Sequence, residues 1–256
     1  IENCSFTNNK AGAGGAIFTY TNLTIKDCPF LNNTAENAGG AIYQYSKSLA
    51  MDNITVEGST AKWGGALFLA PALSSTISEY DVTYQIEIFN ITNSRFNNNN
   101  ASIDGGVIYE GYNFISTGFI KNSNFTNNHA NGNGGVISNQ ISNCTIEESN
   151  FINNSAGIGG VIYNNGSYSE YYDTEYASIV LIYNSAFENA NASSDGGVIY
   201  NENQYSYVIL KDSRFNNTES GGFGGVIYNG GNLDLSNNTM ENAQANVGNH
   251  IYNNGS

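Results

Sequence analysis

Pairs of carboxylates are the residues of this chain that come closest to a catalytic pattern. Asp104 and Asp195 each stand directly before a Gly-Gly pair, so they occupy the same position in two similar segments. Cleavage of a polysaccharide needs two carboxyl groups about 5 to 9.5 Å apart, or a calcium-carboxylate cluster together with a basic residue. Whether these side chains come together depends on the elements that carry them.

Tyrosine and acidic residues concentrate in two segments, 69–88 and 164–178. Tyr gives rigid contact area to a glycan or a protein at a small cost in entropy, and carboxylates could hold calcium. The alternative is an acidic, solvated loop without a ligand. The candidate binding residues are Glu79, Tyr80, Asp81, Tyr84, Tyr168, Glu170, Tyr171, Tyr172, Asp173, Glu175 and Tyr176.

Asn-x-Ser/Thr sequons occur 14 times, whereas roughly 7 would be expected by chance from this composition. The excess predicts that the protein passes through a glycosylating secretory route. Alternatively, Asn and Thr recur together only because the sequence repeats. The sequons begin at Asn3, Asn22, Asn32, Asn53, Asn90, Asn100, Asn124, Asn143, Asn153, Asn165, Asn191, Asn216, Asn237 and Asn254.

A repeat of about 25 residues runs through the chain. A Gly-Gly pair followed by a small residue and then Ile or Leu, as at Gly14 to Ile17, appears nine times if a degenerate copy at Gly248 is included. Eight or nine residues before each copy comes an apolar residue, usually Phe. Asn often follows it three positions later, as in Phe30 to Asn33. Such a period is typical of a solenoid.

Short segments with a period of two indicate that each unit contains three strands, for example Leu233-x-Leu235 and Asn238-x-Met240 before the Gly-x-Ile segment. Strands this short cannot bury their apolar faces within one unit, so successive units must stack. We therefore predict an all-β, right-handed parallel β-helix of about nine coils with three short strands per coil, forming one domain over 1–256. At about 4.8 Å per coil the rod would be roughly 40 Å long.

Stacking of equivalent positions predicts internal columns of Phe and of Ile, and a ladder of Asn side chains at a turn. The Gly pair is expected to adopt a positive φ at a corner. Residues on either side of the inward Ile, Ala16 and Phe18 in the first coil, should point outward. The Phe18 position, mostly Tyr in later coils, would then form an external aromatic stripe.

In such a coil, Asp104 and Asp195 would lie three coils apart, roughly 14 Å, which is too far for paired catalysis. Asp27 and Asp212 likewise share a position in distant coils, and His129 and His250 are far apart. Arg95 and Arg214 are the only arginines, and both are expected to point outward. We therefore expect no enzymatic activity and no catalytic residue.

Three cysteines, Cys4, Cys28 and Cys144, are expected at one small, inward repeat position that is otherwise filled by Ser. Cys4 and Cys28 would lie on consecutive coils, so free stacked thiols and a disulfide both remain open. Cys144 has no predicted partner. None of the spacings between Cys and His is typical of zinc, and no metal site is expected.

The unequal spacing of the units places the insertions 69–88 and 164–178, and shorter ones at 110–117 and 201–206, after the Gly-x-Ile strand. All of them should leave from one corner and project on one side. Binding in repeat proteins commonly lies on such a face.

With 8 basic against 22 acidic residues, a net charge of −14 and a pI near 4.2, the chain is a poor candidate for binding nucleic acid. No run of 18 apolar residues occurs, so no membrane insertion is expected in this segment.

The two signatures, Gly14 to Ile17 and Phe30 to Asn33, resemble the repeats of chlamydial polymorphic outer-membrane proteins. They are also similar to Asn-rich adhesin-like surface proteins of methanogenic archaea and of protists. The resemblance covers essentially the whole chain and implies a surface-exposed ectodomain with an adhesive or structural role.

The expected function is that of a secreted, glycosylated, extracellular structural or adhesive protein without a cofactor, although calcium in the loops stays open. A polysaccharide-acting β-helix enzyme is the alternative. Because both ends cut across a repeat unit, we expect a segment of a longer solenoid or of an extracellular filament. The expected partners are further copies or neighbouring coils end to end, and a host or matrix protein or glycan.

Overall fold

The predicted parallel β-solenoid is confirmed. The computed structural model describes residues 1–45, 48–70, 87–111, 116–169 and 174–255. Over these ranges every regular element is a strand, and four parallel sheets run along the coil. No helix in the described ranges is long and apolar enough to cross a membrane.

Two of the sheets contain nine strands each. The Phe sheet consists of Phe6–Thr7, Pro29–Leu31, Thr55–Glu57, Arg95–Asn97, Asn124–Thr126, Asn150–Ile152, Ala186–Glu188, Arg214–Asn216 and Thr239–Glu241. The Ile sheet, which follows the Gly pair, consists of Ile17–Thr19, Ile42–Tyr45, Leu67–Ala70, Ile108–Glu110, Ile137–Gln140, Ile162–Asn165, Ile199–Asn201, Ile227–Asn229 and Ile251–Asn253.

The other two sheets contain eight strands each. The alternating sheet, named for its period-two sequence, consists of Leu23–Lys26, Ser48–Asp52, Glu87–Thr92, Ser116–Lys121, Asn143–Glu147, Ser178–Tyr183, Ser206–Lys211 and Asn232–Ser236. The Ala sheet consists of Lys10–Ala13, Thr34–Ala38, Thr60–Trp63, Asn100–Asp104, His129–Ala130, Ser155–Ala156, Asn191–Ala192 and Glu219–Ser220.

The Ala sheet corrects the expectation of three strands per coil, since a complete coil has four. In five of its eight strands a single Ala is buried, and Ala101 and Ala130, for example, are flanked by exposed polar residues. One inward residue is too few to produce an apolar period of two, so this strand leaves little signal in the sequence.

Each strand pairs with its equivalent in the next unit, for example Phe96 with Phe125 and Ile137 with Ile162. One repeat unit is therefore one coil. The Phe rings from Phe96 to Phe215 are fully buried and nearly parallel, with ring centroids 4.7 to 5.1 Å apart. The predicted internal Phe column is confirmed, and Val56 takes the place of Phe in the third coil.

The corner between the Ala sheet and the Ile sheet requires both glycines. The first of each pair has a positive φ, 58° at Gly14 and 66° at Gly134, as predicted. The second is confined by the neighbouring coil, because a Cβ on Gly135 would collide with the carbonyl oxygen of Gly160.

The residue after the Gly pair points inward, which corrects the expectation for Ala16 and its equivalents. Ala41 and Val136 are fully buried in the same core as Ile42 and Ile137. At this corner the amides of two consecutive residues donate to one carbonyl, as Val136 and Ile137 do to Val161 O at 2.9 and 3.0 Å. The alternation of side chains is therefore interrupted there.

The predicted Asn ladder is confirmed. The Oδ1 of Asn128 accepts from the backbone N and the Nδ2 of Asn99, both at 3.0 Å, while its own Nδ2 donates to Phe96 O and to Asn154 Oδ1. Every hydrogen-bonding atom of this buried amide is thus used along the coil axis.

The position two residues before Phe forms a further ladder. Ser149 Oγ accepts from Ser123 N at 3.2 Å and donates to Glu147 O at 2.7 Å, and Cys28 Sγ does the same with Cys4 N and Lys26 O. Cys28 is buried as predicted, Cys4 is exposed, and the thiols are free.

Cys144 does not share this position, contrary to the prediction. It pairs with Gly118 and Val180 in the alternating sheet, where it is buried as part of the hydrophobic core. There it acts as a small apolar side chain.

Candidate functional site

The insertions leave the coil between the Ile sheet and the alternating sheet, as predicted. Most of the segment 69–88 lies outside the described residues, as do Glu79, Tyr80, Asp81, Tyr84, Glu170, Tyr171, Tyr172 and Asp173. These candidate binding residues remain predictions.

The insertion 164–178 contains a small antiparallel hairpin, formed by Ser167–Ser169 and Thr174–Tyr176. Glu175 is exposed and Tyr176 is half-buried, while the backbone of Tyr168 pairs with Glu175 and its side chain lies outside the described part of the chain. The hairpin extends the surface of the solenoid at this corner.

A cleft of about 580 Å³ opens beside this hairpin. Its other walls are the insertion 201–206 of the next coil and the turn that contains Tyr228 and Gly230 in the coil after that. We call it the corner cleft. Its size is in the range of ordinary ligand sites, and most of its lining is polar. The side chains that line it include Asn165, Glu202, Asn203, Gln204, Tyr228 and Asn254.

Asn203 joins the two insertions that form the cleft walls. Its Nδ2 donates to Asn165 Oδ1 at 2.8 Å and to Gly166 O at 2.9 Å, and its Oδ1 accepts from Tyr205 N at 3.0 Å. Gly166 lies so close to Tyr205 that a Cβ would collide with the Tyr205 backbone. The cleft is therefore shaped by fixed backbone contacts.

Glu202 places a carboxylate at the cleft. Its Oε2 accepts a hydrogen bond from the hydroxyl of Tyr163, and its backbone N donates to Asn164 O at 3.0 Å. Among the described residues that line the cleft, none is Lys or Arg. The site therefore has a negative potential and disfavours an anionic ligand.

Tyr228 presents only its edge to the cleft, because its ring is stacked between Tyr200 at 4.4 Å and Tyr252 at 5.4 Å. These rings belong to the predicted aromatic stripe, and neighbouring rings in it are stacked. Its exposure is not uniform, since Tyr109 and Tyr163 are buried and Ser138 interrupts the rings between them. Burial raises the pKa of Tyr200, so its hydroxyl is neutral at physiological pH.

A second internal amide ladder supports this corner, and sequence reasoning missed it. Asn164 Nδ2 donates to Asn201 Oδ1 at 2.9 Å, and Asn201 Nδ2 donates to Asn229 Oδ1 at 2.7 Å. The signal was available, because Asn stands two residues after the Ile of Gly-x-x-Ile in five consecutive coils, from Asn139 to Asn253.

Glu110 occupies this ladder position one coil before Asn139 and is almost completely buried. Its Oε2 accepts from Ser116 Oγ, while its Oε1 has no hydrogen-bond partner within the described ranges. Burial raises the pKa of the Glu110 carboxyl to about 7, although hydrogen bonds from Ser116 and Ser142 oppose the rise.

The carboxylates considered for catalysis have structural contacts instead. Asp104 Oδ1 accepts from Asn133 N at 2.6 Å, and Asp195 Oδ1 accepts from Phe223 N at 2.7 Å, so each binds the backbone of the following coil. Burial raises the pKa of Asp104. Among the described side chains, no group of three or more His, Cys, Asp or Glu could hold a metal ion.

The sequon asparagines are all at the surface. Eleven are exposed, and Asn124, Asn165 and Asn216 are half-buried. Asn191 makes no side-chain hydrogen bond in the described structure, whereas Asn165 Nδ2 donates to Gln140 Oε1 at 3.1 Å. A glycan on Asn165 would have to replace that contact.

Comparison with known proteins agrees with the resemblance seen in the sequence. Residues 3–20, 30–44 and 122–140 match the Chlamydia polymorphic membrane protein repeat. Each matched segment includes the Phe strand, the Asn ladder position and the Gly corner of one coil, in the first, second and fifth coils. No curated protein and no solved structure matches the chain. The chain is therefore a β-solenoid in which three segments, each within one coil, are similar to the polymorphic membrane protein repeat, and this fits a surface, adhesin-like protein.

Proposed function

We propose that this solenoid is part of a secreted, glycosylated protein exposed at a cell surface, where it acts by adhesion or as a structural element and not by catalysis. The observation that carries the proposal is the polymorphic membrane protein repeat in three coils. In the family that it resembles, such repeats form surface-exposed ectodomains.

Two features of the molecule support this proposal. Eleven of the fourteen sequon asparagines are exposed in the folded chain, as attachment of a glycan requires. The insertions converge on one corner, which leaves the remainder of the coil as a regular support.

Surface exposure is tested with antibodies raised against the folded chain and applied to intact and to permeabilised source cells. We expect equal staining of both, with an antibody to a cytosolic protein staining only the permeabilised cells. Staining confined to permeabilised cells would refute the surface location.

Glycosylation is tested separately by intact-mass analysis of native material before and after enzymatic removal of N-glycans. We expect a mass above that of the polypeptide, 27.5 kDa for this segment, which falls after treatment. An unchanged, unmodified mass would refute glycosylation without affecting the surface assignment.

A further inference from the structure

The corner cleft offers both donors and acceptors of hydrogen bonds, which is what a ligand with many hydroxyl groups requires. Gln204 and Asn254 are exposed, and their side-chain amides make no hydrogen bond within the described residues. Each amide provides two N–H donors and a carbonyl acceptor. Beside them lie the carboxylate of Glu202 and the edge of Tyr228.

We propose that the corner cleft is a binding site for a neutral oligosaccharide. The inference deepens the adhesive role proposed above and rests on it in one respect, since the ligand must be available outside the cell. Sugar hydroxyls can donate to Glu202 while they also accept from the free amides of Gln204 and Asn254.

The charge of the site selects among saccharides. Because the described lining contains Glu202 but neither Lys nor Arg, a sulfated or carboxylated sugar would bring a second negative charge into the cleft. The net charge of −14 on the whole chain acts in the same direction. A neutral sugar avoids this repulsion.

A peptide suits the cleft less well. Peptides are held either by an unpaired strand edge or by apolar pockets that receive anchor side chains. The cleft is lined mainly by side-chain amides, glycines and Glu202, and its two aromatic residues are the half-buried Tyr205 and Tyr228, whose ring is already stacked on both faces. This mostly polar lining is poorly suited to an apolar anchor side chain.

Two sources could supply the same carbohydrate chemistry. One is a glycan on another cell or matrix molecule. The other is an N-glycan of this chain, because the lining residues Asn165 and Asn254 both begin sequons. Production in bacteria, which leaves the sequons bare, and production in a eukaryotic secretory host separate the two.

The test measures binding of neutral trisaccharides (glucose, mannose and N-acetylglucosamine series) to the bacterially produced chain by ligand-observed saturation-transfer NMR and titration. The variant Gln204→Ala/Asn254→Ala removes the two free amides. The control Gln244→Ala/Asn143→Ala also removes an exposed Gln and a sequon Asn without side-chain hydrogen bonds, but outside the cleft.

We expect at least one trisaccharide to bind, the cleft variant to weaken its affinity by about tenfold or more, and the control to stay within about twofold. Loss of that binding in the secreted, glycosylated protein, with recovery when the two sequons are removed by Ser167→Ala and Ser256→Ala, which keep both asparagine amides, would identify the protein's own glycan as the occupant. Absence of binding by all three series, an unchanged affinity in the cleft variant, or cleft binding of a random peptide library alone would overturn the proposal. None of these results decides whether the protein is at the cell surface, which the antibody test settles independently.

Discussion

Asn128 shows how a single residue type can hold consecutive coils together. Its amide makes four hydrogen bonds, two to Asn99 and one each to Phe96 and Asn154, in a fully buried position. Buried polar groups are favourable only when their partners are present. The same residue repeated on successive coils supplies those partners.

We predict that Asn128→Ala lowers the free energy of unfolding by about 2 to 5 kcal/mol, because the backbone N–H of Asn99, one N–H of its side-chain amide and the Phe96 carbonyl all lose a buried partner. Chemical denaturation followed by circular dichroism measures the change. Asn150→Ala, which removes only an exposed bond to Asn124, is the control and should cost less than about 1 kcal/mol. Equal losses for both variants would contradict the role given to the ladder.

Glu110 should make the stability of the solenoid depend on pH. Its pKa is about 7 in the folded protein, above the ordinary value of 4.5. The folded state therefore binds the proton more tightly than the unfolded state. The stabilisation that this protonation gives to the folded state is complete below about pH 4.5 and is lost as the pH rises through about 7.

We predict that Glu110→Gln, which stays neutral, is more stable than the native chain at pH 8.5 by about 3 kcal/mol, a difference that shrinks toward pH 5. Urea denaturation across this range measures it. Cys144, whose pKa burial raises well above the ordinary thiol value, ionises outside the window. A stability difference that does not vary with pH would show that Glu110 keeps an ordinary pKa.

At the scale of the element, the Gly corner determines whether one coil can lie on the next. Gly135 faces the carbonyl of Gly160 on the following coil, while Gly12, in the first strand of the Ala sheet, has no atom near its missing Cβ. The two glycines are therefore a matched pair for substitution.

We predict that Gly135→Ala destabilises the protein by about 3 kcal/mol or more, because the added methyl forces adjacent backbones apart. Gly12→Ala should be neutral or slightly stabilising, since it lowers only the entropy of the unfolded chain. Thermal unfolding of the two variants compares them directly. Similar midpoints for both would mean that the coils are not packed as tightly as the structure shows.

At the scale of the whole molecule, the sequence predicted those features that repeat with the coil. The spacing of Phe30, Asn33 and Gly39 was sufficient to predict the internal Phe column, the Asn ladder and the Gly corner. Inward Val136 was not predicted, because the backbone at the corner departs from the alternation on which such reasoning depends.

The corner cleft could not be predicted for a different reason. It forms between insertions of unequal length, so Gln204 and Asn254 have no fixed spacing that brings them together. The repeat predicted only the side of the solenoid on which these two residues lie. Contacts such as Asn203 to Gly166 depend on the local path of each insertion.

Each repeat unit forms one coil of the solenoid, and distances between spin labels test this arrangement most directly. Glu57, Glu188 and Glu241 occupy one column of the Phe sheet, with Glu188 four coils and Glu241 six coils from Glu57. Labels would be attached to cysteines introduced at these positions in a background with Cys4→Ser, Cys28→Ser and Cys144→Val. We predict separations of roughly 19 Å for Glu57 to Glu188 and roughly 29 Å for Glu57 to Glu241, by double electron–electron resonance. Equal separations, or a longer distance to Glu188 than to Glu241, would contradict the stacked solenoid.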